Sequence, residues 1–320
     1  MIYKTNLFEF ISYAALVLII ASFTQSCHNK ISGKNSMTKI YKNKSVEVNN
    51  IRINYSDVGE GEALVLVHGF ASSTYTWRYI EEHFIGKYRV ISIDLKGFGF
   101  SSKPHDQKYS IHDQSEILIE FMEKLGLSCV TVMGHSYGGA VALATFRSSR
   151  NKGQDLIKRL ILIDSASYRH DFPDFISVLR TPLLNRISLS IVPSKINANF
   201  VLREAFYDDK KITKEMIDLY SYYLNLPGAH SALIQTANQI VPDDVEDFTK
   251  FYSKIDIPVL IIWGKKDQIV PISNGIRLQR EIPNASFKVI ENCGHMPQEE
   301  CPEIVVHHIS EFLSITKRGK

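Results

Sequence analysis

Residues 129–143 read Cys129-Val-Thr-Val-Met133, then Gly134-His135-Ser136-Tyr137-Gly138-Gly139, then Ala140-Val141-Ala142-Leu143. A mostly apolar run, a short glycine-bearing stretch and a second apolar run predict a strand, a sharp turn and a helix, with Ser136 at the tip of the turn. A turn that tight holds its central residue in a strained backbone conformation, and Gly134 and Gly138 leave room where a Cβ would meet the crossing chain. A serine held there points its hydroxyl out of the sheet, at a helix N-terminus. Taken alone, G-x-S-x-G also describes a glycine-rich turn with an incidental serine, so the rest of the chain decides.

Three further segments bear on it. Ala63 to Val67 is an apolar, strand-like run followed by His68-Gly69-Phe70. Ile257 to Trp263 is another, followed by Gly264-Lys265-Lys266-Asp267. Ser286 to Ile290 is a third, and just past it stands Gly294-His295-Met296-Pro297. A serine, an aspartate and a histidine, each beyond the end of a predicted strand and in that chain order, match the nucleophile-elbow enzymes. The chain resembles the α/β-hydrolase superfamily, particularly its lipase and esterase-like members with a helical cap. The resemblance covers roughly residues 45 to 315. It rests on the His-Gly-Phe loop, on Asp94-Leu95-Lys96-Gly97-Phe98-Gly99-Phe100-Ser101, on the elbow, on the Asp267 loop, and on His295 with Met296, Pro297, Glu300 and Pro302 after it.

The composition fits such a protein. The chain has 320 residues, 44% hydrophobic and 22% charged, which is ordinary for a globular protein with a large core. A net charge of +3 and the lack of a basic stripe interleaved with aromatics argue against a nucleic-acid partner. The N-terminus differs from the rest. Phe10 to Phe23 is nearly all apolar and is followed by Thr24-Gln25-Ser26-Cys27. That run has about the length of a signal-peptide core and falls short of the roughly 20 residues of a spanning helix. Ser26 before Cys27 resembles the end of a bacterial lipoprotein signal, although Thr24 departs from that pattern. The expectation is a signal peptide or membrane anchor over 1–27, membrane association through it, and export as a cell-envelope lipoprotein; an uncleaved anchor is the alternative, which the lysines at 30, 34, 39, 42 and 44 favour. Residues 28–44 read as a polar tether.

Beyond the tether, Val46-Glu47-Val48 and Ile51-Arg52-Ile53 alternate about Asn49-Asn50, a hairpin signal. Further strands are expected at Tyr88 to Ile93 and Lys158 to Ile163, with a helix over Ile111 to Leu125 opened by a Ser110/Asp113 capping box. Near-continuous apolar strands alternating with helices indicate an α/β fold with a mostly parallel sheet covered on both faces. From about Tyr168 to Phe251 no strand is expected, and the stretch is rich in Phe, Tyr, Leu and Ile. It resembles the helical cap of the family and suggests an apolar roof over the site. The division expected is thus a first core part, 45–166, a cap, 167–251, and a second core part, 252–320.

A neutral serine hydroxyl needs a base to take its proton as it attacks. A histidine can accept that proton and return it to the leaving group, and a carboxylate behind the ring fixes its tautomer and stabilises the imidazolium. The resemblance assigns Ser136 as nucleophile, His295 as base and acid, and Asp267 as the orienting carboxylate. Asp164 also ends a strand and remains the alternative acid, whereas Asp94 is expected to tie the Gly97 to Ser101 loop. The oxyanion donors implied are the backbone N–H groups of Phe70 and Tyr137, with His68 and His135 as supports. No metal or cofactor is implied. Cys129, Cys293 and Cys301 have no spacing that fixes a disulfide, and Cys293, His295, Cys301 and His307 are a metal set only in appearance. Haloalkane dehalogenases and soluble epoxide hydrolases of this fold carry an aspartate at the elbow, where this chain has Ser136. The substrate expected is a small-molecule or lipid carboxylic ester; the alternatives are carbon–carbon bond hydrolysis of a diketone by the same residues and, from another class, a non-catalytic binding protein.

Overall fold

The strands β1 (Lys44–Val48), β2 (Ile51–Val58), β3 (Ala63–Val67), β4 (Arg89–Ile93), β5 (Val130–His135), β6 (Ile157–Ile163), β7 (Val259–Gly264) and β8 (Ala285–Ile290) form one sheet in the order β1-β2-β4-β3-β5-β6-β7-β8. The coordinates are a computed structural model that describes residues 44–318. The apolar N-terminal run and the polar stretch through residue 43 lie outside the described residues, and with them the signal, anchor and lipoprotein readings; Lys44, expected as the last tether residue, opens β1.

β2 runs antiparallel to both β1 and β4, and all pairings from β4 to β8 are parallel. Asn49 and Asn50 close the first hairpin at φ 50° and 61°, the two left-handed residues of a turn whose twist matches that of the flanking strands. In β3, β6 and β7, Leu64 to Val67, Leu160 to Ile163 and Val259 to Trp263 are buried on both faces, which is why these segments read as continuous apolar runs rather than alternating ones.

β2 runs five residues past Ile53, and other strand ends shift by one or two residues from the sequence reading, for local reasons. Tyr88 donates its N–H to Phe84 O at 3.0 Å and so closes a helix instead of opening β4. Pro258 has no N–H for a ladder, so β7 starts after it, while its carbonyl still accepts from Leu160. β5 continues two residues further, to His135, paired with Ile163.

Helices α1 (Arg78–Phe84), α2 (Ile111–Lys124) and α3 (Tyr137–Asn151) belong to the first core part. The expected capping box opens α2: Ser110 Oγ accepts the Asp113 N–H at 3.2 Å, and the Asp113 carboxylate accepts the Ser110 N–H at 3.0 Å. Such a cap is worth about 1 kcal/mol, and it sets the register that turns Ile117, Leu118, Phe121 and Met122 inward.

Between β6 and β7 the described chain forms no strand. It folds instead as α4 (Asp174–Arg180), α5 (Leu184–Ser190), α6 (Ser194–Ala205), α7 (Lys214–Leu224), α8 (Ala229–Asn238) and α9 (Val245–Lys250). This is a helical cap insertion, and it touches the loops at the C-terminal ends of the strands. Phe175 of α4 lies 6.5 Å, ring to ring, from Phe70, and Tyr75 lies 6.1 Å from Tyr220 of α7. After it come α10 (Ile272–Glu281), the single turn α11 (Pro297–Glu300) and α12 (Pro302–Arg318). Val305, Ile309 and Leu313 of α12 join Trp77, Ile80, Phe84, Leu64 and Leu66 in the core on one face of the sheet. Among the described residues no helix is long and apolar enough to cross a membrane.

Candidate active site

Ser136 caps the N-terminus of α3 at φ 51°, ψ −119°, a left-handed φ that a side-chain-bearing residue adopts at a cost of about 1–3 kcal/mol. Its neighbours hold it there. The Ser136 N–H donates to Ile163 O at 2.9 Å, and its carbonyl accepts from Gly139 at 2.9 Å and Ala166 at 3.0 Å. A Cβ on Gly138 would collide with the carbonyl oxygens of Val67 and His68, so the start of α3 passes directly against the end of β3. A Cβ on Gly69 would come within 3.1 Å of the Ser136 Cβ, so the His-Gly-Phe backbone runs past the serine.

Three loops then bring three side chains together. Ser136 Oγ lies 2.9 Å from His295 Nε2, and His295 Nδ1 lies 2.7 Å from Asp267 Oδ2. The second oxygen of Asp267 accepts the N–H groups of Ile269 at 2.7 Å and Val270 at 2.9 Å. An ionised carboxylate only accepts, so the His295 proton sits on Nδ1 and the lone pair of Nε2 faces the serine. The Asp267 side chain is fully buried and that of His295 is 6% exposed, so water screens the chain of contacts little.

The histidine loop is fixed by its backbone. His295 N–H donates to Ala205 O, at the end of α6, at 2.6 Å, and His295 O accepts from His135 Nε2 at 2.7 Å. Burial, and then the neighbouring His295, push His135 well below the ordinary histidine range, so it is the neutral Nε2–H tautomer that donates. His68 is also pushed down by burial, against the pull of Asp94; its Nδ1–H donates to Gly69 O at 2.7 Å and its Nε2 accepts from Leu95 at 3.0 Å. Both rings tie loops around Ser136 and neither contacts its hydroxyl in a hydrogen bond.

Tyr137 and Phe70 flank the serine. Tyr137 is the first residue of α3, so its N–H has no acceptor within the helix and lies at the positive end of the helix dipole. Phe70 follows Gly69, and its ring meets Phe98 edge-on at 5.8 Å and Phe175 at 6.5 Å.

Neither of the two other candidate aspartates bonds the His295 ring. Asp94 accepts from the N–H groups of Thr74 at 2.7 Å and Phe100 at 2.8 Å and from the Asn54 amide at 2.7 Å, tying the Gly97 to Ser101 loop to β2 and to the β3 loop. Asp164, at φ 43° and fully buried, accepts the Gly264 N–H at 2.9 Å and lies against Asp267 without bonding His295. The carboxylate on the histidine is therefore Asp267.

Sequence reasoning missed Glu299 and, although it singled out Glu300 after His295, missed the contacts that Glu300 makes. Glu299 is buried, accepts from Thr76 Oγ1 at 2.7 Å and Tyr220 OH at 2.5 Å, and pairs with Arg78 at 2.6 Å. Glu300 accepts three backbone N–H groups, from Asp208 at 2.8 Å, Tyr207 at 3.1 Å and Gly294 at 2.7 Å. The two glutamates thereby join the insertion to the core and to the histidine loop. Cys293 and Cys301 form a disulfide across that loop, with Cα atoms 6.5 Å apart, a pairing that the spacing in the sequence did not reveal. This separates the apparent metal set: the sulfurs bind each other, His295 faces Ser136 and Asp267, and His307 sits beside His308 on α12.

The model of the Alpha/beta hydrolase family matches residues 64–308. Lipase 1 of Psychrobacter immobilis is 31% identical over 269 residues, 80% of this chain and 78% of its own length. The 2-hydroxy-6-oxo-2,4-heptadienoate hydrolase of Pseudomonas putida is 26% identical over 270 residues, 82% of this chain and 93% of its own. A solved epoxide hydrolase structure superposes with a TM-score of 0.73 at 26% identity, covering 86% of this chain and 99% of its own. With the matched family model and the elbow geometry, these likenesses lead to one conclusion: the chain belongs to the alpha/beta hydrolase family.

Proposed function

We propose that the protein hydrolyses carboxylic esters with apolar, lipid-like or medium-chain acyl groups, through an acyl-enzyme on Ser136. The observation that carries this reading is the contact chain Ser136 Oγ, His295 Nε2, Asp267 Oδ2 at a strained elbow. His295 takes the hydroxyl proton as Ser136 Oγ attacks the acyl carbon, and the carbonyl oxygen becomes an oxyanion facing the Phe70 and Tyr137 N–H groups. Collapse breaks the ester C–O bond, His295 gives its proton to the leaving alkoxide, and an alcohol departs. Water repeats the sequence on the acyl-enzyme: His295 takes a proton from the water, the acid is released, and Ser136 regains its hydrogen. An elbow aspartate, which an alkyl-enzyme ester requires, is absent, so epoxide and haloalkane chemistry is disfavoured. Phe70, Phe98 and Phe175 beside the serine support an apolar acyl group.

The similarity to the heptadienoate hydrolase favours one second reading, cleavage of a carbon–carbon bond in a diketone by the same residues. A panel of chromogenic esters from acetate to palmitate, run beside a vinylogous diketone, separates the two. Rising kcat/KM over the first several carbons, with no diketone turnover, supports the ester reading; diketone turnover with flat, weak ester hydrolysis overturns it. Membrane attachment through residues 1–27, with a lipid-modified Cys27, belongs to the same proposal and rests on the apolar run and on Ser26-Cys27. Mass spectrometry of membrane-extracted protein tests it: a lipid-modified N-terminal Cys27 would support the lipoprotein form, and an intact Met1 peptide would contradict that form and leave an uncleaved anchor.

A further inference from the structure

Asp164 takes no part in the relay, yet it occupies a costly position. It is fully buried, at a left-handed φ of 43°, with Oδ1 on the Gly264 N–H and a buried Oδ2 that no donor reaches. One oxygen of Asp164, one of Asp267 and one ring nitrogen of His295 lie within 4.8 Å of one another. Two ionised carboxylates buried that close repel strongly, and each is also penalised for leaving bulk water. A single proton held between them removes the repulsion. Asp267 is the one whose oxygens are both taken up as acceptors, because three N–H groups, from Ile269, Val270 and His295, point at it. Asp164 accepts one, so the proton belongs on its orphaned Oδ2.

We propose that Asp164 is a neutral carboxylic acid in the working enzyme and a positioning residue, its Oδ2–H donating to Asp267 and fixing that carboxylate against His295. This rests on reading Ser136, His295 and Asp267 as the relay. Burial, and after it the charge of Asp267, hold the Asp164 carboxyl well above the usual carboxylate range; Glu300 adds to the rise and the Gly264 N–H opposes it. The groups facing Asp164 are thus Gly264 at the end of β7, Asp267 on the loop after it, His295 on its own loop, and Glu300 on α11.

Asparagine imitates a protonated aspartate here, since its oxygen can accept from Gly264 while its amide donates to Asp267. Asp164→Asn is expected to keep kcat within about tenfold of the parent, whereas Asp164→Ala, which removes the donor, loses about 10- to 100-fold in kcat with KM unchanged, the worth of a hydrogen bond to a charged group. The acid limb of kcat/KM moves to higher pH in the alanine variant, because Asp267 then holds more charge against His295, and stays in place in the asparagine variant. The folded protein also keeps a proton that the unfolded chain releases near about pH 4. Parent stability therefore falls as pH rises from there toward the native titration, and Asp164→Asn removes that fall. Infrared difference spectra of the resting full-length protein, parent minus Asp164→Asn, supply the readout that needs neither turnover nor the alanine variant. A protonated-carboxyl C=O band at neutral pH supports the proposal. Its absence overturns it, as does an Asp164→Asn variant as inactive as Asp267→Asn. Absent ester turnover with the band present would sink the functional reading and leave this one standing.

Discussion

The backbone of Ser136 and His295 and the Asp267 carboxylate are fully committed, whereas the insertion above them is loosely finished. The Ser136 N–H and C=O, the His295 N–H and C=O and both Asp267 oxygens all have partners between 2.6 and 3.0 Å. In the insertion, α4 and α5 are seven residues each and, like α6, lack a side-chain cap, and Leu183, Ile191 and Ile196 stand exposed. Helices that short are marginal alone and depend on what they pack against. The insertion as a whole is joined to the core by ties that include Tyr220 to Glu299, the Tyr207 and Asp208 N–H groups to Glu300, and Ala205 O to His295. On the proposed reading the strand ends set the chemistry and the insertion the choice of substrate, with the two joined where Ala205 O and Glu300 hold the histidine loop.

The sharpest way to break this division is at the serine. Ser136→Ala is expected to fold normally and to lose up to about a million-fold in kcat, and undiminished ester turnover would place the chemistry elsewhere. Asp267→Asn comes next, with a loss of about ten-thousand-fold, far beyond that of Asp164→Asn; the reverse order with both proteins folded would move the acid to the end of β6. Glu299→Ala probes the join rather than the chemistry. It strands Arg78, whose side chain is 14% exposed, and breaking a buried pair costs about 3–5 kcal/mol. Calorimetry should show a melting point lower by roughly 10 °C, and an unchanged melting point would mean the insertion is held by other contacts. Reducing Cys293–Cys301 with a dithiol opens a short loop worth about 2–3 kcal/mol by chain entropy. The protein is expected to melt several degrees lower, and Cys293→Ser with Cys301→Ser should be insensitive to the reductant; a parent equally insensitive would argue against the staple. The smallest effect lies in the insertion. Phe175→Ala is expected to lower kcat/KM for octanoyl esters by about tenfold, a part of the burial energy of one aromatic ring, and to leave acetyl esters alone. An equal loss on both would show that α4 shapes the reacting centre as well as the acyl pocket.

The contrast also explains what could be read from sequence. The elbow, the hairpin at Asn49-Asn50, the α2 cap and the strand runs were legible because each depends on nearby residues: turn chemistry, a three-residue cap spacing, uninterrupted apolar strands. The long-range pairings were not. Glu299 meets Tyr220 across 79 residues and Thr76 across 223, and no local pattern announces such a contact. Asp164 and Asp267 follow neighbouring strands that the insertion separates in sequence, so only the β6–β7 pairing brings their carboxyls together. The Cys293–Cys301 bond depends on the path of the histidine loop, which spacing does not encode.

The central claim, that Ser136 is the nucleophile activated by His295, is tested most directly by covalent labelling. A fluorophosphonate probe reacts only with a serine whose proton a base can remove. Intact-mass analysis of the native parent protein should show one phosphonyl adduct, and peptide mapping should place it on Ser136. The heat-unfolded parent and the Ser136→Ala variant should show none. An adduct that persists in Ser136→Ala, or a folded parent that takes up no label, would contradict the account.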